Sequence, residues 1–299
     1  MQIRIPVPRN FNFRRTVLSH GWCVLPPFEF DREQWTLKRV IDLGVAKPVT
    51  VTISAAKRGL LLDTSRSVGK RASETIVRDV RHMFRLDDDM NRFYSAVAAE
   101  ADFSWILAEG AGRLLRAPTV FEDLVKMMCT TNCSWALTEK MVGGLVDELG
   151  RASDDGRKSF PTASVMAEKN EKFYRDKIRA GYRAPYLLEL AQRVASGELD
   201  VESWLKVDLP HEQFMKELKR VKGVGNYAAE NLSKLLGRYD GLALDSWTRA
   251  QFAKSRNDGR PATDKKIARF YARFDSWRGL VIWCDMTRHW LDPENVVKW

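Results

Sequence analysis

The sequence predicts an α+β protein in which a small N-terminal antiparallel β domain precedes a larger all-helical domain. Residues 1 to about 66 are rich in β-branched and aromatic residues, with Gly, Pro and Asp between the runs. From about Ser73 onward, the apolar residues recur with a period near 3.6. Several later segments end on glycine, as helices often do. We therefore expect a sheet domain over residues 1–85 and a helical domain over residues 86–299.

The first part contains five segments that favour strands and turns: QIRIPV, GWCVLPPFEF, WTLKRVIDL, KPVTVTISAA and RGLLLDTS. FNFRRTVLSHG, between the first two, has helical spacing instead. The helical part begins with SETIVRDVRHMFRL, and Ser73 is a plausible N-cap because its hydroxyl can accept a backbone N–H. Further helices are expected in PTVFEDLVKMMCTTNCSWALTEKMVGGLVDELG, PTASVMAEKN, APYLLELAQRVASG, HEQFMKELKR and NYAAENLSKLLG.

The composition is that of a folded protein with a basic surplus. The chain has 299 residues, enough for two domains, with 49 Lys plus Arg against 39 Asp plus Glu and a net charge of +10. This surplus suits a polyanionic partner, although a solvated basic surface would give the same count. There is no apolar run long enough to cross a bilayer, and MQIRIPVPRN is unlike a signal peptide. We expect a cytoplasmic protein without a membrane partner, associated with the nucleoid if it is bacterial.

The cysteines and histidines argue against a metal centre. The cysteines are Cys23, Cys129, Cys133 and Cys284, and no pair has the CxxC spacing of zinc ribbons. Cys129 and Cys133 could share a helix face, but no histidine or carboxylate cluster accompanies them. We therefore expect buried thiols and no metal site.

The stretch VKGVGNYAAENLSKLLGRYDGLALDSW predicts two short helices joined by a glycine hairpin. Gly223 and Gly225 flank Val224, and the backbone N–H groups at the start of the second helix can bind an anion such as a phosphate. Lys222 adds a positive charge at the same place. An ordinary αα-hairpin without a ligand would fit the glycines equally well.

The spacing from this hairpin to Asp245 resembles that of the helix-hairpin-helix (HhH-GPD) superfamily of DNA glycosylases. In that family a loop after the second helix, here GRYDGLALD, ends in an essential aspartate. The resemblance implies a helical domain of two lobes with the base pocket between them. It also implies that Asp245 is catalytic and that Lys222, Gly223, Val224 and Gly225 contact DNA.

The resemblance covers most of residues 105–290. TVFEDLVKMMCTTNCSWALTEKMVGGL is similar to the helix that, in 8-oxoguanine DNA glycosylases, carries an Asn inserted into the duplex, and Asn132 takes that place. AGYRAPYLLELA is similar to their wedge loop, which implies stacking by Tyr182 and contact with the orphan base by Arg183. Alkylation-repair glycosylases of AlkA type share this architecture. Without the resemblance, Tyr182 would be interpreted as a core residue and Arg183 as a solvated surface residue.

The resemblance implies that a base is flipped out of double-stranded DNA and its N-glycosidic bond is cleaved. A carboxylate can stabilise the positive charge that builds up on the sugar and orient a water molecule. Asp245 could also simply cap the helix SWTRAQF. Bifunctional members carry a lysine two residues after the second hairpin glycine, where this chain has Tyr227. We expect hydrolysis without lyase activity, and an aromatic pocket wall at Tyr227.

The segment WRGLVIWCDMTR resembles the C-terminal pocket helix of the 8-oxoguanine enzymes. Gly279 stands at their base-reading glutamine and Trp283 at their stacking Phe, which together predict a wider pocket. An alkylated purine, or another enlarged base, is expected as substrate, with Trp283 attracting an electron-poor ring. A bulky modified cytosine, as some phage genomes carry, stays open. A non-catalytic DNA-binding protein and a lyase using an unconventional lysine also stay open. We expect a monomer without a cofactor, although the hairpin backbone leaves room for a monovalent cation.

Overall fold

In the computed structural model, the described part of the chain is residues 1–292, so residues 293–299 of the predicted helical domain lie outside it. One antiparallel sheet lies at the N-terminus, with the strand order β1-β5-β4-β3-β2. Its strands are β1 Gln2–Pro6, β2 Phe28–Asp31, β3 Thr36–Leu43, β4 Ala46–Ala56 and β5 Gly59–Thr64. In β4, the alternate residues Val49, Val51 and Ile53 are fully buried, which is the period-2 pattern of a strand with one face on the core.

The rest of the described chain is mostly helical, and the predicted α+β class is confirmed. The α-helices are α1 Phe13–Val17, α2 Lys70–Met83, α3 Asn91–Ala98, α4 Trp105–Ala108, α5 Val120–Cys129, α6 Trp135–Leu149, α7 Ala163–Ala167, α8 Glu171–Asp176, α9 Ala184–Ala195, α10 His211–Leu218, α11 Asn226–Leu235, α12 Ser246–Arg256, α13 Asp264–Tyr271 and α14 Arg278–Thr287. Short 3-10 turns connect several of them.

One local prediction, the N-cap of the first long helix, is wrong. Helix α2 begins at Lys70 with Gly69 as its N-cap, and Ser73 already donates its backbone N–H to the Gly69 carbonyl at 3.0 Å. Ser73 therefore belongs to the first turn and is not the cap. The segment GWCVLPPFEF contains both a turn and a strand, since Gly21–Val24 forms a 3-10 turn and Phe28 onward joins the sheet. The two prolines of this segment interrupt the ladder, since proline has no N–H to donate.

A buried ion network fixes the sheet to helix α5. Arg39 on β3 donates to Oε1 of Glu122 at 2.7 Å, and Nζ of Lys126 lies 2.7 Å from the same oxygen. All three side chains are almost fully buried. Losing one partner would leave an uncompensated charge in the core, so the network is expected to hold the sheet and α5 in one arrangement.

The sheet and the helices share one hydrophobic core, in which Ile41 of β3 and Leu124 of α5 are both included. The domain boundary near residue 85 therefore stays a prediction. Within residues 1–292, no helix is both long enough and apolar enough to pass through a bilayer.

Candidate active site and nucleic-acid interface

The predicted helix-hairpin-helix is formed by α10 and α11, with residues 219–225 between them. Gly223 has φ +88°, and a Cβ atom there would lie 2.8 Å from the ring of Tyr186. Glycine is therefore needed at this turn both for the backbone angle and for the close approach of α9. Gly225 is the N-cap of α11 and has no atom near its Cβ position, so the start of α11 is open. Val224 is buried and anchors the hairpin to the core.

Lys222 is exposed at the hairpin, but it is paired in the free protein. Its Nζ lies 2.8 Å from Oε2 of Glu189 on α9. Such exposed pairs contribute little to stability, so a phosphate can replace the carboxylate at low cost. Lys222 is thus positioned for the predicted DNA contact, with Glu189 as a competitor for its charge.

The loop after α11 is fixed at several points before it reaches Asp245. Helix α11 ends at Leu235, and Gly237 with φ +91° turns the chain away. Further along, Ala243 adopts φ +51°, and its N–H donates to the Glu230 carboxylate on α11. These contacts hold the loop against the helix that precedes it, so the distance from the hairpin to Asp245 is defined by the fold.

Asp245 is the N-cap of α12. Its Oδ1 accepts hydrogen bonds from the backbone N–H and the hydroxyl of Thr248, both at 2.7 Å. These bonds orient the carboxylate and leave Oδ2 for another partner. Asp245 also lines the cavity described next, so its capping role is compatible with the catalytic role that the resemblance implies, which stays a prediction.

A cavity of about 500 Å³ lies between helix α11, the start of α6, the 3-10 turn Gly21–Val24 and α14. Its wall is dominated by aromatic rings: Trp22, Trp135, Tyr227, Trp247, Trp283 and Trp290. Trp247, Trp283 and Trp290 contact one another, with ring centroids 5.8–6.0 Å apart. Flat aromatic walls of this kind suit a planar ligand such as a nucleobase.

One face of helix α11 forms part of the cavity wall. Tyr227, Asn231 and Lys234 lie at positions i, i+4 and i+7, which fall on the same side of a helix, and all three line the cavity. Tyr227 is 38% exposed near the hairpin, whereas Lys234 is 3% exposed. The three residues therefore mark increasing depth from the surface to the floor. Burial raises the pKa of the Tyr227 hydroxyl, and the neighbouring Asp245 carboxylate acts in the same direction.

The cavity contains a buried lysine and a buried histidine. Burial lowers the pKa of Lys234 to about 8, while the carboxylates of Glu230 and Asp245 oppose this shift. Its Nζ donates to the carbonyl of Leu242 at 3.3 Å. Burial also lowers the pKa of His20 to about 4, so its imidazole is neutral at pH 7 and Nε2 donates to the Leu115 carbonyl.

The predicted wedge loop projects from the surface beside the turn between α5 and α6. Tyr182, in the 3-10 turn Gly181–Arg183, is 48% exposed, and its hydroxyl lies 3.3 Å from Nδ2 of Asn132 and from the Thr131 hydroxyl. Asn132 lies in this turn with φ +46°, not on a helix as the sequence suggested. The turn forms because Ser134 caps α6, so a new helix starts at Trp135, six residues after α5 ends.

The environment of Arg183 differs from the one expected from the sequence. It is only 4% exposed, and its guanidinium donates to the carbonyl and hydroxyl of Thr131. It also lies over the ring of Tyr182, 4.5 Å from the centroid. In this structure Arg183 therefore supports Tyr182 and the Asn132 turn, and contact with an orphan base would require it to leave these partners.

Gly279 does not have the environment that the sequence suggested. A Cβ atom at Gly279 would lie 2.0 Å from the Gly241 carbonyl oxygen and 2.5 Å from that of Tyr239. Its N–H donates to the Tyr239 carbonyl at 2.7 Å. The prediction that Gly279 widens the base pocket is therefore wrong: this glycine lets α14 approach the loop before Asp245. Trp283, one turn later, does line the cavity, and its indole Nε1 donates to the Ser19 carbonyl.

Several cavity residues were not anticipated from the sequence. Lys234 could have been found, because it shares a helix face with Tyr227 and is followed by the loop to Asp245. His20, Trp135 and Trp290 come from segments far apart in the chain, and no local pattern indicates that they meet. The structure describes no cluster of three His, Cys, Asp or Glu side chains within residues 1–292 that could hold a metal ion.

Comparison with known proteins gives a consistent result. No protein-family model matches the chain. A DNA-3-methyladenine glycosylase of Bacillus subtilis is 24% identical over 67% of this chain and 68% of its own length. A probable N-glycosylase/DNA lyase of Methanothermobacter thermautotrophicus is 24% identical over 91% of this chain and 90% of its own. The structure of a 3-methyladenine DNA glycosylase from Archaeoglobus fulgidus superimposes with a TM-score of 0.74 at 20% identity, covering 95% of this chain and 98% of that one.

Proposed function

We propose that this chain, which resembles the HhH-GPD superfamily of DNA glycosylases in its fold and its motifs, is a monofunctional DNA glycosylase. In this proposal the protein flips a modified base out of duplex DNA and hydrolyses its N-glycosidic bond with water, leaving an abasic site. The observation that carries the proposal is the position of Asp245. A carboxylate held by Thr248 lines an aromatic cavity directly after a helix-hairpin-helix.

The chemistry follows from the charge that develops in the reaction. As the bond to the base breaks, positive charge builds up on the deoxyribose, and a fixed carboxylate beside the sugar stabilises it. Oδ1 of Asp245 is held by Thr248, so Oδ2 is free to face the sugar or to accept a proton from water. A carboxylate that is already oriented needs no rearrangement in the transition state.

The aromatic residue at position 227 favours hydrolysis by water over a lyase reaction. A lyase needs an amine near C1′ to form a Schiff base. Tyr227 has no such amine, and the nearby Lys234 is buried about two turns deeper along α11. Some relatives are named N-glycosylase/DNA lyase, so a trapping experiment must accompany the excision assay.

DNA binding is assigned to the surface that carries the hairpin and the wedge loop. The open start of α11 with Lys222 can bind a backbone phosphate. Tyr182 is the exposed ring that can fill the gap left by a flipped base, with Asn132 beside it to contact the unpaired partner. We propose that one chain is sufficient for this surface, so the active species is a monomer on double-stranded DNA.

The size of the cavity favours an enlarged base. A cavity of about 500 Å³ lies within the range that holds drug-sized ligands, whereas an unmodified base is smaller than such ligands. We propose that the substrate is an alkylated purine or another enlarged base. A bulky modified cytosine is the second candidate, favoured by the same volume and by polar groups such as Asn231 and Thr138 among the aromatic walls.

The direct test is incubation of the protein with duplexes that carry different modified bases, followed by mass spectrometry of the released material. We expect free base and an intact abasic strand, and no covalent adduct after borohydride treatment. Release should persist in the presence of EDTA, because water and side chains supply all the groups that the proposed reaction uses. Binding without release from any duplex would instead support a non-catalytic DNA-binding protein, and a trapped adduct would support a lyase.

A further inference from the structure

Lys234 brings a positive charge to the floor of the cavity. It lies on the same face of α11 as Tyr227, about 10 Å further along the helix axis. The residue is 3% exposed, and its Nζ lies 5.2 Å from the centroid of the Trp283 ring. Among residues 1–292, the hydrogen-bond acceptor of its ammonium is the Leu242 carbonyl, at 3.3 Å. An ammonium has three donors, so it can bind further acceptors on a molecule in the cavity.

Two carboxylates counteract the effect of burial on the charge of Lys234. The carboxylates of Glu230 and Asp245 favour the ammonium, and its pKa of about 8 still lies above 7. Two further titratable neighbours, His20 and Cys284, are uncharged there. The pKa of His20 is about 4, and burial raises the pKa of the Cys284 thiol to about 12.

A buried ammonium is an unfavourable choice for packing alone. Taking the charge out of water costs free energy, and a methionine of similar length could fill the same space without that cost. The contact with Trp283 and the bond to Leu242 compensate only in part, since the net effect of the surroundings is still to lower the pKa of Lys234. The charge is therefore best explained by what enters the cavity.

We propose that Lys234 determines which flipped bases the cavity accepts: its ammonium donates hydrogen bonds to an oxygen or nitrogen acceptor on an uncharged base and repels a base that carries a positive charge. This inference rests on the proposed glycosylase function. It also changes the role expected for Trp283, because the ring that was to attract an electron-poor alkylated base already faces the lysine. Purines alkylated at a ring nitrogen and therefore cationic are disfavoured, whereas bases enlarged by an uncharged substituent with acceptor atoms are favoured.

The test compares two bases of the same shape that differ in charge. One duplex carries N7-methylguanine, which is cationic, and the other carries 7-methyl-7-deazaguanine, which is neutral. Both nucleotides have a 2′-fluoro-arabino sugar to block cleavage, so dissociation constants can be measured at pH 7 on the active protein. Like charges a few ångströms apart in a partly buried site repel strongly, so we expect the wild type to bind the neutral base at least ~10-fold more tightly. Lys234→Met should bring this ratio close to one.

The matched control is Lys216→Met, which removes the same charge from an exposed position on α10 and should leave the ratio unchanged. Thermal melting shows whether each variant is folded. Equal affinities in the wild type, tighter binding of the cationic base, or a ratio that survives Lys234→Met would each overturn the inference. Measuring this ratio of affinities needs no cleavage of the DNA. A protein that discriminates between the two bases but releases no base would therefore contradict the glycosylase proposal and leave the inference standing. A glycosylase that preferentially releases cationic purines would overturn the inference alone.

Discussion

Thr248 donates two hydrogen bonds to Asp245, one from its backbone N–H and one from its hydroxyl, and both end on Oδ1 at 2.7 Å. Oδ1 thereby caps helix α12, and Oδ2 is left for another partner. The residue that begins the helix is thus the same residue that lines the cavity.

Asp245→Asn separates these two roles. Asparagine is as good an N-cap as aspartate, so the variant should melt near the wild-type temperature and should still bind duplex DNA. The transition-state charge is no longer stabilised, and base release should fall by ~10²–10⁴-fold. Single-turnover release from the substrate duplex measures this. Release at the wild-type rate would leave Asp245 with a structural role only.

The pair between Lys222 and Glu189 predicts opposite effects of two substitutions on DNA binding. Lys222→Ala should reduce the slope of log affinity against log salt by about one, because one phosphate contact is lost. Glu189→Gln frees the lysine and removes a nearby negative charge, so it should tighten binding at low salt. Salt titrations of duplex affinity for both variants provide the measurement. If Lys222→Ala left the slope unchanged, Lys222 would not contact the DNA backbone.

Tyr182 is expected to act through its ring. Tyr182→Ala should slow release from a base-paired duplex by roughly 5- to 150-fold, which corresponds to ~1–3 kcal/mol of lost stacking. Tyr182→Phe is the matched control. It removes only the hydroxyl near Asn132 and Thr131, both at 3.3 Å, and should keep most of the activity. Equal losses in the two variants would show that the hydroxyl, not the ring, is what matters.

Gly279→Ala should destabilise the protein without changing which bases it releases. The new Cβ atom would lie 2.0 Å from a backbone oxygen of Gly241, so α14 or the loop has to move, at a cost of ~1–3 kcal/mol. Gly143→Ala is the control, because that glycine lies inside α6 with open space at its Cβ position. There the substitution should stabilise the helix by ~0.5–1 kcal/mol. Urea denaturation gives both values. A changed substrate preference in a fully stable Gly279→Ala variant would contradict this interpretation.

Lys234→Met should alter how stability depends on pH. The pKa of Lys234 is about 8 in the folded state against a usual value of 10.5, so the unfolded chain binds more protons between these values. Stability of the wild type therefore rises with pH across this window and falls as the pH drops toward 8, by on the order of 3 kcal/mol at most. In the variant this contribution is absent. The difference in urea midpoint between the two proteins, followed from pH 7 to 10, isolates it. A constant difference would mean that Lys234 titrates normally.

The parts of the site that could be predicted from sequence are the local ones. The glycine hairpin, the position of Asp245 and the tyrosine at position 227 depend on spacing within one stretch of chain, and spacing can be read directly. The α+β order was likewise visible as a change in hydrophobic period. The start of α2 was missed by one turn, because Gly69 caps the helix without the side-chain signal that Ser73 offers.

The parts that could not be predicted depend on contacts between distant segments. Gly279 was assigned to the cavity from its place in a helix, but its neighbour is the backbone of Gly241, which only the folded chain reveals. Arg183 was expected at the DNA, yet its donors are used by Thr131. The lowered pKa of Lys234 likewise arises from burial among elements that lie far apart in the sequence.

The line of Tyr227, Asn231 and Lys234 along α11 has a consequence for how such a protein can diverge. The proposed catalytic carboxylate of Asp245 lies just before α12, whereas the side chains proposed to contact the base at successive depths lie on helix α11. Substitutions at positions 231 or 234 can therefore alter the accepted molecule while the reactive oxygen keeps its place. In the proposed hydrolase, the residues that select the target can thus change one at a time without moving the proposed catalytic carboxylate.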